Sequence, residues 1–491
     1  MLILLAWSAL MPKPTAPPVP ATPRLPAPTE TSIAPSQAQP LEKPAPASLF
    51  KFQQDNFEVT FSEPEAAIKE VIFKAYQSYR FSLEYAFLLD NQNLNFSRQT
   101  VTANSVVFTA HQPDKKIIKR FIFHNINYTI DLEIETQNIS SQPLSVNSPL
   151  VLAVLNFRGD QAQARFKDAT VAQKDKVLHP NVHKNLTFDN LQFLGIKDRY
   201  FCSIIEPVDN TYSAFIQKIN AQESKLGLIP GDPMLAPGHK VTQKFRIYLG
   251  PQELSIIKQV KPAWTAIMHY GSFNFISHIL LQLIELLHRI TGNWGAAIIL
   301  LSILIYFILY PLTLKQMRSM KEMQALQPRI EALKKAYKDN PQKLNKEIMG
   351  LYREHKVNPL GGCLPLLLQL PIFFALYQAL IRSVALKGAR FLWVKDLSEP
   401  DRIFTLPFSI PVLGNEVNIL PVLMVIIMFI QQKITTNTAA MGQSDQQRFM
   451  LILMPLMFLF IFYHMPAGLV LYWLVNSLLM LVYQFRISRV K

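Results

Sequence analysis

The sequence predicts a multi-domain protein: an α-helical polytopic membrane domain of five core spans, with a further span expected at the N-terminus, carrying an extracytoplasmic antiparallel β-sandwich. Three observations predict it. Apolar runs long enough to enter a bilayer recur at 294–313, 360–382, 418–433, 449–464 and 467–486. Residues 50–265 instead show short alternating runs separated by turn residues, as in antiparallel sheets. Between the first two apolar runs, 314–357 carries Lys315, Arg318, Lys321, Arg329, Lys334, Lys335, Lys338, Lys343, Lys346, Arg353 and Lys356, and such positive loops stay in the cytoplasm. The chain has 491 residues, 49% of them hydrophobic, and a formal net charge of +15. Nucleic acid is the other class that such charge suggests, but the apolar runs make membrane topology the better account.

Taken in order, Met1 to Met11 is apolar but too short to span, without basic residues before it or a small-residue cleavage site after it. Counted back from the cytoplasmic stretch 314–357, the β region lies outside the cytoplasm, consistent with one further span at the N-terminus, of which 1–12 is expected to be an incomplete part. Residues 13–49, rich in Pro, Ala, Thr and Ser, read as a linker. In the β region, Ile130, Leu132 and Ile134 alternate with Asp131, Glu133 and Glu135; 241–249 alternates similarly, and 57–61, 117–123 and 150–155 are further strand-like runs. Residues 273–290 place His278, Gln282, Glu285 and His288 between apolar positions, as in a helix lying at a membrane surface. The basic stretch is structured too: Leu326, Ile330, Leu333 and Tyr337 recur at helical spacing, Asp339-Asn-Pro341 makes a turn and cap, and Leu344, Ile348 and Leu351 resume on a second helix. It reads as a cytoplasmic hairpin. Met317, Met320 and Met323 offer an adaptable apolar surface there, with Lys334, Lys335 and Lys338 as contact charges; a hairpin core plus solvated charge explains the same residues.

The stretch Asn358-Pro-Leu-Gly-Gly-Cys-Leu-Pro-Leu-Leu-Leu-Gln-Leu-Pro-Ile-Phe-Phe-Ala-Leu-Tyr377 opens a span with a capping Asn, yet places Pro365, Gln369 and Pro371 inside it. A plain anchor gains nothing from these residues. Together with Gly292-Asn-Trp-Gly295, Tyr310-Pro-Leu-Thr313, Leu326-Gln-Pro-Arg-Ile330 and Met465-Pro-Ala-Gly-Leu-Val-Leu-Tyr-Trp473, it resembles the YidC/Oxa/Alb membrane protein insertases over roughly 270–486, within a membrane domain read as 270–491. The upstream half is similar, more loosely, to the periplasmic domain of the Gram-negative YidC type, which implies a β-sandwich like that of sugar mutarotases. His179, His183 and nearby carboxylates invite sugar chemistry, but none has catalytic spacing. The resemblance implies an inner-membrane insertase and chaperone whose partners are nascent membrane proteins, the lipid bilayer, the Sec translocon and the ribosome. It implies no cofactor, no metal and no enzymatic reaction. Cys202 and Cys363 fall in separate regions, so no disulfide is expected.

The resemblance further implies a polar groove open to cytoplasm and lipid, with one arginine four residues before the Tyr-Pro of Tyr310-Pro-Leu-Thr313. Here that position is Tyr306. The groove expected of this chain is therefore polar but neutral, built from Ser302, Tyr306, Gln369, Tyr377, Tyr472, Asn476 and Ser477. The same groups also serve as bridges between membrane helices, and the sequence leaves both roles open. The run 449–464 gives roughly 24 Å at about 1.5 Å per residue, less than the roughly 30 Å of a hydrocarbon core. Such a span thins the bilayer locally. Phe373, Leu376, Leu456 and Phe460 are expected to guide incoming apolar segments, or to face lipid. Two other classes stay in view: a small-solute transporter, against which stands the lack of internal repeats and intramembrane charge, and a carbohydrate-binding domain on an anchor, for which five spans are too many.

Overall fold

In the computed structural model the described residues are 48–489, apart from 91–93, 125–126, 159–160, 209–211, 232–233, 339, 356, 358–363, 411–412 and 438–444. The N-terminal span and most of the linker, the capping residues Asn358 and Pro359, and Asp339 therefore lie outside them.

The alternating runs form sheets. Among the described residues the largest has nine strands, in spatial order Lys176–Leu178, Asp168–Gln173, Leu191–Lys197, Phe201–Pro207, Lys240–Pro251, Thr129–Asn138, Lys115–His124, Ser105–His111 and Phe96–Val101. All of its neighbours pair antiparallel. A five-stranded sheet contains Tyr212–Lys218, Glu223–Pro230 and Leu150–Asn156, and a four-stranded meander runs from Leu49–Gln53 to Tyr79–Ala86. Ile130, Leu132 and Ile134 face inward, buried in a core where the Phe61 ring meets those of Phe108 and Phe121. Asp131 and Glu133 face outward, and their directly opposed partners are cations: Arg246 across from Asp131 and Arg120 across from Glu133, at 3.5 and 2.8 Å. Period-2 alternation thus sets both the buried face and the cross-strand pairs.

One inward position on this sheet is a lysine. Lys119 is fully buried and donates to the carbonyls of Ala66 and Phe87, two residues in the left-handed region. Burial without a carboxylate pulls its ammonium down to about 7.

After Pro251 a short helix, Leu254–Val260, and a tight turn place Trp264, completely buried, with its indole N–H donating to Glu206 (2.7 Å). The helical part follows: α1 (Asn274–Thr291), α2 (Trp294–Ala325), α3 (Gln327–Ala336), α4 (Pro341–Glu354), α5 (Leu364–Arg382), α6 (Ile419–Asn437), α7 (Asp445–Tyr463) and α8 (Ala467–Arg489). Gly292, at φ +65°, ends α1 in the left-handed turn that glycine accommodates without strain. The Asn293 side chain then accepts from the Ala296 amide and starts α2. Gly295 allows close packing: a Cβ there would lie 2.1 Å from the Phe391 ring. Gly468 plays a like part at the start of α8, where a Cβ would lie 3.0 Å from Ile298 and 3.1 Å from the Leu397 carbonyl.

Two described helices are long and apolar enough to cross a membrane, over Trp294–Leu314 and Ala467–Arg486; Ile419–Ile434 and Leu453–Tyr463 are shorter apolar helices. α7 begins at Asp445, so its backbone helix is longer than its apolar stretch: 19 residues, or roughly 28 Å. α3 and α4 pack as a short helical hairpin. Leu326, Ile330 and Val357 are its buried core, with Met323, Ile348 and Leu351 against them, and Asn340 caps α4 by accepting from the Lys343 amide at 3.0 Å. Lys334, Lys335 and Lys338 are exposed on it. The side chains of Met317 and Met320 lie outside the described residues.

Candidate functional site

α2, α5, α6 and α8 pack around one apolar core, in which Ile298, Leu301 and Ile305 of α2 join Leu376, Ala379 and Leu380 of α5 and Leu469 to Tyr472 of α8. Polar groups interrupt that core at few places. Gln369 of α5 reaches α8, its amide donating to the Tyr472 hydroxyl. One turn further along α8, Asn476 donates to the Tyr472 carbonyl (2.9 Å). Tyr472 is completely buried, while Gln369 and Asn476 are half-buried. Gln431 of α6 donates to the Ser477 carbonyl, so Ser477 tethers α8 to α6 through its backbone.

Along α2, Tyr306 is half-buried beside Tyr310 (ring centroids 6.1 Å apart), and Tyr310 meets Tyr483 of α8 edge-on at 5.6 Å. Three tyrosines thus extend the polar-tipped region away from the β domain. Tyr377 is half-buried on α5.

Three expected positions differ from the sequence reading. Ser302 is fully buried and donates to the Ile298 carbonyl one turn back (2.7 Å), so it satisfies its own helix and lines no accessible surface. Phe373 and Leu376 are 9% and 1% exposed. Phe373 packs against Phe462 and Trp473 at 5.6 and 5.4 Å, holding α5, α7 and α8 together instead of meeting lipid or substrate. Leu456 and Phe460 do lie on an open face of α7, together with Leu453 and Met457. The apolar face of 273–290 is divided as well. Leu280, Leu281 and Ile284 pack inward and Ser277 donates to the Ala375 carbonyl (2.9 Å), while Phe275, Ile279, Leu286 and Ile290 are exposed.

The sequence reading missed the turn that docks the β domain onto the helices. Lys197 is 2% exposed and donates to the carbonyls of Ile267 (2.8 Å) and His269 (3.2 Å). Arg382, at the end of α5, donates to the same His269 carbonyl (3.0 Å). Arg199 is 7% exposed and uses all three guanidinium nitrogens, to the Ile381 carbonyl (2.9 Å), the Glu399 carboxylate (2.7 Å) and the Ser398 carbonyl (2.9 Å). The segment it holds reaches α8 directly, since the amides of Ala467 and Gly468 donate to the Glu399 and Leu397 carbonyls at 2.8 and 2.9 Å. Asp198 shapes the turn by accepting from the Tyr200 and Phe201 amides and the Tyr79 hydroxyl; burial raises its carboxyl to about 6. Beside it the imidazoles of His179 and His269 stack with centroids 4.0 Å apart. Burial, reinforced by the partner ring and Lys197, lowers His179 to about 4. His183 lies elsewhere, against Phe157. No group of residues suited to a metal ion occurs among the described residues.

Comparison with known proteins follows the same division. The chain matches the family model "YidC periplasmic domain" over residues 49–283 and "60Kd inner membrane protein" over 286–491. It is 36% identical to a membrane protein insertase YidC of Syntrophobacter fumaroxidans, over 78% of this chain and 70% of that protein. It is 34% identical to the corresponding protein of Cupriavidus necator, over 78% and 68%. Among solved structures, an active YidC insertase with its first transmembrane domain resolved is similar at 21% identity and TM-score 0.42, covering 89% of this chain and 94% of that one. Solute transport finds no support in these matches. Sequence relatives of this identity and coverage, joined to matches over both halves, establish that the chain belongs to the YidC family of membrane protein insertases.

Proposed function

We propose that this protein inserts and folds inner-membrane proteins through a hydrated, uncharged groove bounded by α2, α5 and α8, acting alone or with the Sec translocon. Moving a polar segment through hydrocarbon costs several kcal/mol per unpaired group. Polar side chains held at membrane depth lower that cost without holding the substrate fast. The observation that carries this reading is the Gln369–Tyr472 bond, with Asn476 one turn away, inside helices otherwise apolar. Tyr306, half-buried on α2, supplies a hydroxyl where the resemblance calls for arginine. The open face of Leu456 and Phe460 is the exit side, where an apolar helix passes to lipid.

In this reading α2, α5, α6, α7 and α8 are the five core spans, joined by one more near the N-terminus. The β domain is periplasmic, α1 lies at the membrane surface, and the basic hairpin and C-terminus are cytoplasmic by the distribution of Lys and Arg. The hairpin meets the ribosome and nascent chains through Lys334, Lys335 and Lys338 and the nearby Met317, Met320 and Met323. The test is depletion of the protein in its host followed by membrane proteomics. Loss of small inner-membrane proteins, restored by the wild-type gene and not by a Gln369→Leu/Asn476→Leu variant present at normal level, supports the groove. Full restoration by that variant excludes it.

A further inference from the structure

Residues 390–395 form a small finger with an unusual tip. The amide of Phe391 donates to the Val394 carbonyl (3.0 Å) and that of Val394 to the Phe391 carbonyl (2.8 Å), closing a two-residue turn. Its first central residue, Leu392, has φ +52° and is 76% exposed. Turns of this kind favour glycine there, because a Cβ in the left-handed region clashes with the backbone. A branched side chain at such a site is strained, and this one contacts little of its own protein in return. Strain held by an exposed apolar side chain points to a contact outside the chain.

The position of the finger identifies the contact. Asn293, at the start of α2, donates to the Arg390 carbonyl (3.4 Å), and the Phe391 ring rests on Gly295. The Trp393 indole donates to Asp401 (3.3 Å), the carboxylate that also accepts the first amides of α6, Ile419 and Leu420. The tip is thus fixed at the level where the apolar stretches Trp294–Leu314 and Ile419–Ile434 begin. Exposed Arg390 and Lys395 flank the exposed pair Leu392 and Trp393. Two apolar residues between two cations suit the boundary of a phospholipid leaflet, where apolar groups sit below the phosphates and cations reach them.

We propose that the Leu392–Trp393 turn inserts into the headgroup–acyl boundary of the leaflet on the β-domain side, anchoring the ends of α2 and α6 to lipid. This rests on the reading of those helices as membrane spans, and the test separates the two. Spin labels are placed one at a time at Leu392→Cys, Ser141→Cys in the β domain and Phe307→Cys on the exposed face of α2, in the full chain with Cys363→Ser, Cys202 being fully buried. The protein is reconstituted in nanodiscs of phosphatidylethanolamine and phosphatidylglycerol, and accessibility to oxygen and to a water-soluble nickel chelate is measured. The expected order of oxygen-to-nickel ratio is 307 highest, 392 intermediate and 141 lowest. A label at 392 matching 141 while 307 reads lipid overturns the anchor alone; a label at 307 matching 141 overturns the spanning reading and the anchor with it. Leu392→Gly in detergent gives a second measure: an unchanged or raised melting temperature is expected, because little internal contact is lost and the left-handed strain is relieved, and a clear fall shows that Leu392 serves its own fold.

Discussion

Arg199→Ala removes the buried cation at the seam between sheet and helices. Its guanidinium makes two bonds to carbonyls and one to the Glu399 carboxylate, and the substitution leaves all three acceptors without that partner. Breaking a buried pair by deleting one partner costs about 3–5 kcal/mol. Glu399 retains 35% side-chain exposure, so water relieves part of the loss and the low end applies. About 3 kcal/mol corresponds, at 1.36 kcal/mol per decade, to on the order of 100-fold in the opening equilibrium of the 397–399 segment. The Ala467 and Gly468 amides, bonded to Glu399 and Leu397, report that opening by hydrogen exchange. Arg199→Ala should raise their exchange by that factor while the sheet amides of Thr129–Asn138 stay protected. Arg199→Lys, which keeps the charge but not the fork, should fall between. Unchanged exchange at Ala467 and Gly468 in a folded Arg199→Ala protein would refute the clamp.

Other predictions follow from the same geometry. His179, held near 4 against about 6.5 unfolded, binds fewer protons in the folded state. Its contribution is therefore complete above about pH 6.5 and is lost as pH falls towards 4. Asp198, raised to about 6, acts in the opposite sense over part of this window, so the measurement is the difference in melting temperature between His179→Gln and wild type. That difference should change between pH 7 and 4.5, and a constant difference would contradict the assignment. Reversing Lys334, Lys335 and Lys338 to Glu should weaken ribosome co-sedimentation at low salt and flatten its salt dependence; identical binding at low salt removes the hairpin from that role. Deleting most of 50–250 while keeping α1 removes Arg199 and Lys197 but no groove residue. It should lower thermal stability yet leave insertion of a reporter membrane protein largely intact, and a stably expressed deletion without insertion activity would contradict this.

The strands were legible because their alternation has period 2 and one face meets a core: Ile130, Leu132 and Ile134 could be read directly. Of the glycines in the quoted motifs, Gly295 and Gly468 sit at close approaches, whereas Gly292 ends a helix in the left-handed region with open space around it. Lys119 was not legible, because its partners are carbonyls of residues 53 and 32 positions away. Arg199 was hidden for the same reason: nothing distinguishes it among 49 Lys and Arg until the chain folds Ile381 and Glu399 against it. Phe373 and Leu376 misled because a membrane helix is apolar on its packed and its lipid faces alike, so periodicity does not separate them. Ser302 misled because a hydroxyl in a helix bonds its own backbone as readily as a neighbour or water.

Tyr306→Arg tests the neutral, hydrated groove most directly. Tyr306 is half-buried, and its ring neighbours are Phe307 and Tyr310, with no cation stacked on it among the described residues. In a water-filled cavity open to the cytoplasm the guanidinium stays solvated. The variant should then accumulate normally and support insertion in depleted cells, and Tyr306→Phe should reduce insertion modestly, by about 1 kcal/mol for one lost hydrogen bond. In a dry helix interface the same arginine is buried without a partner. A Tyr306→Arg protein that is degraded, while Tyr306→Phe accumulates normally, would contradict the groove.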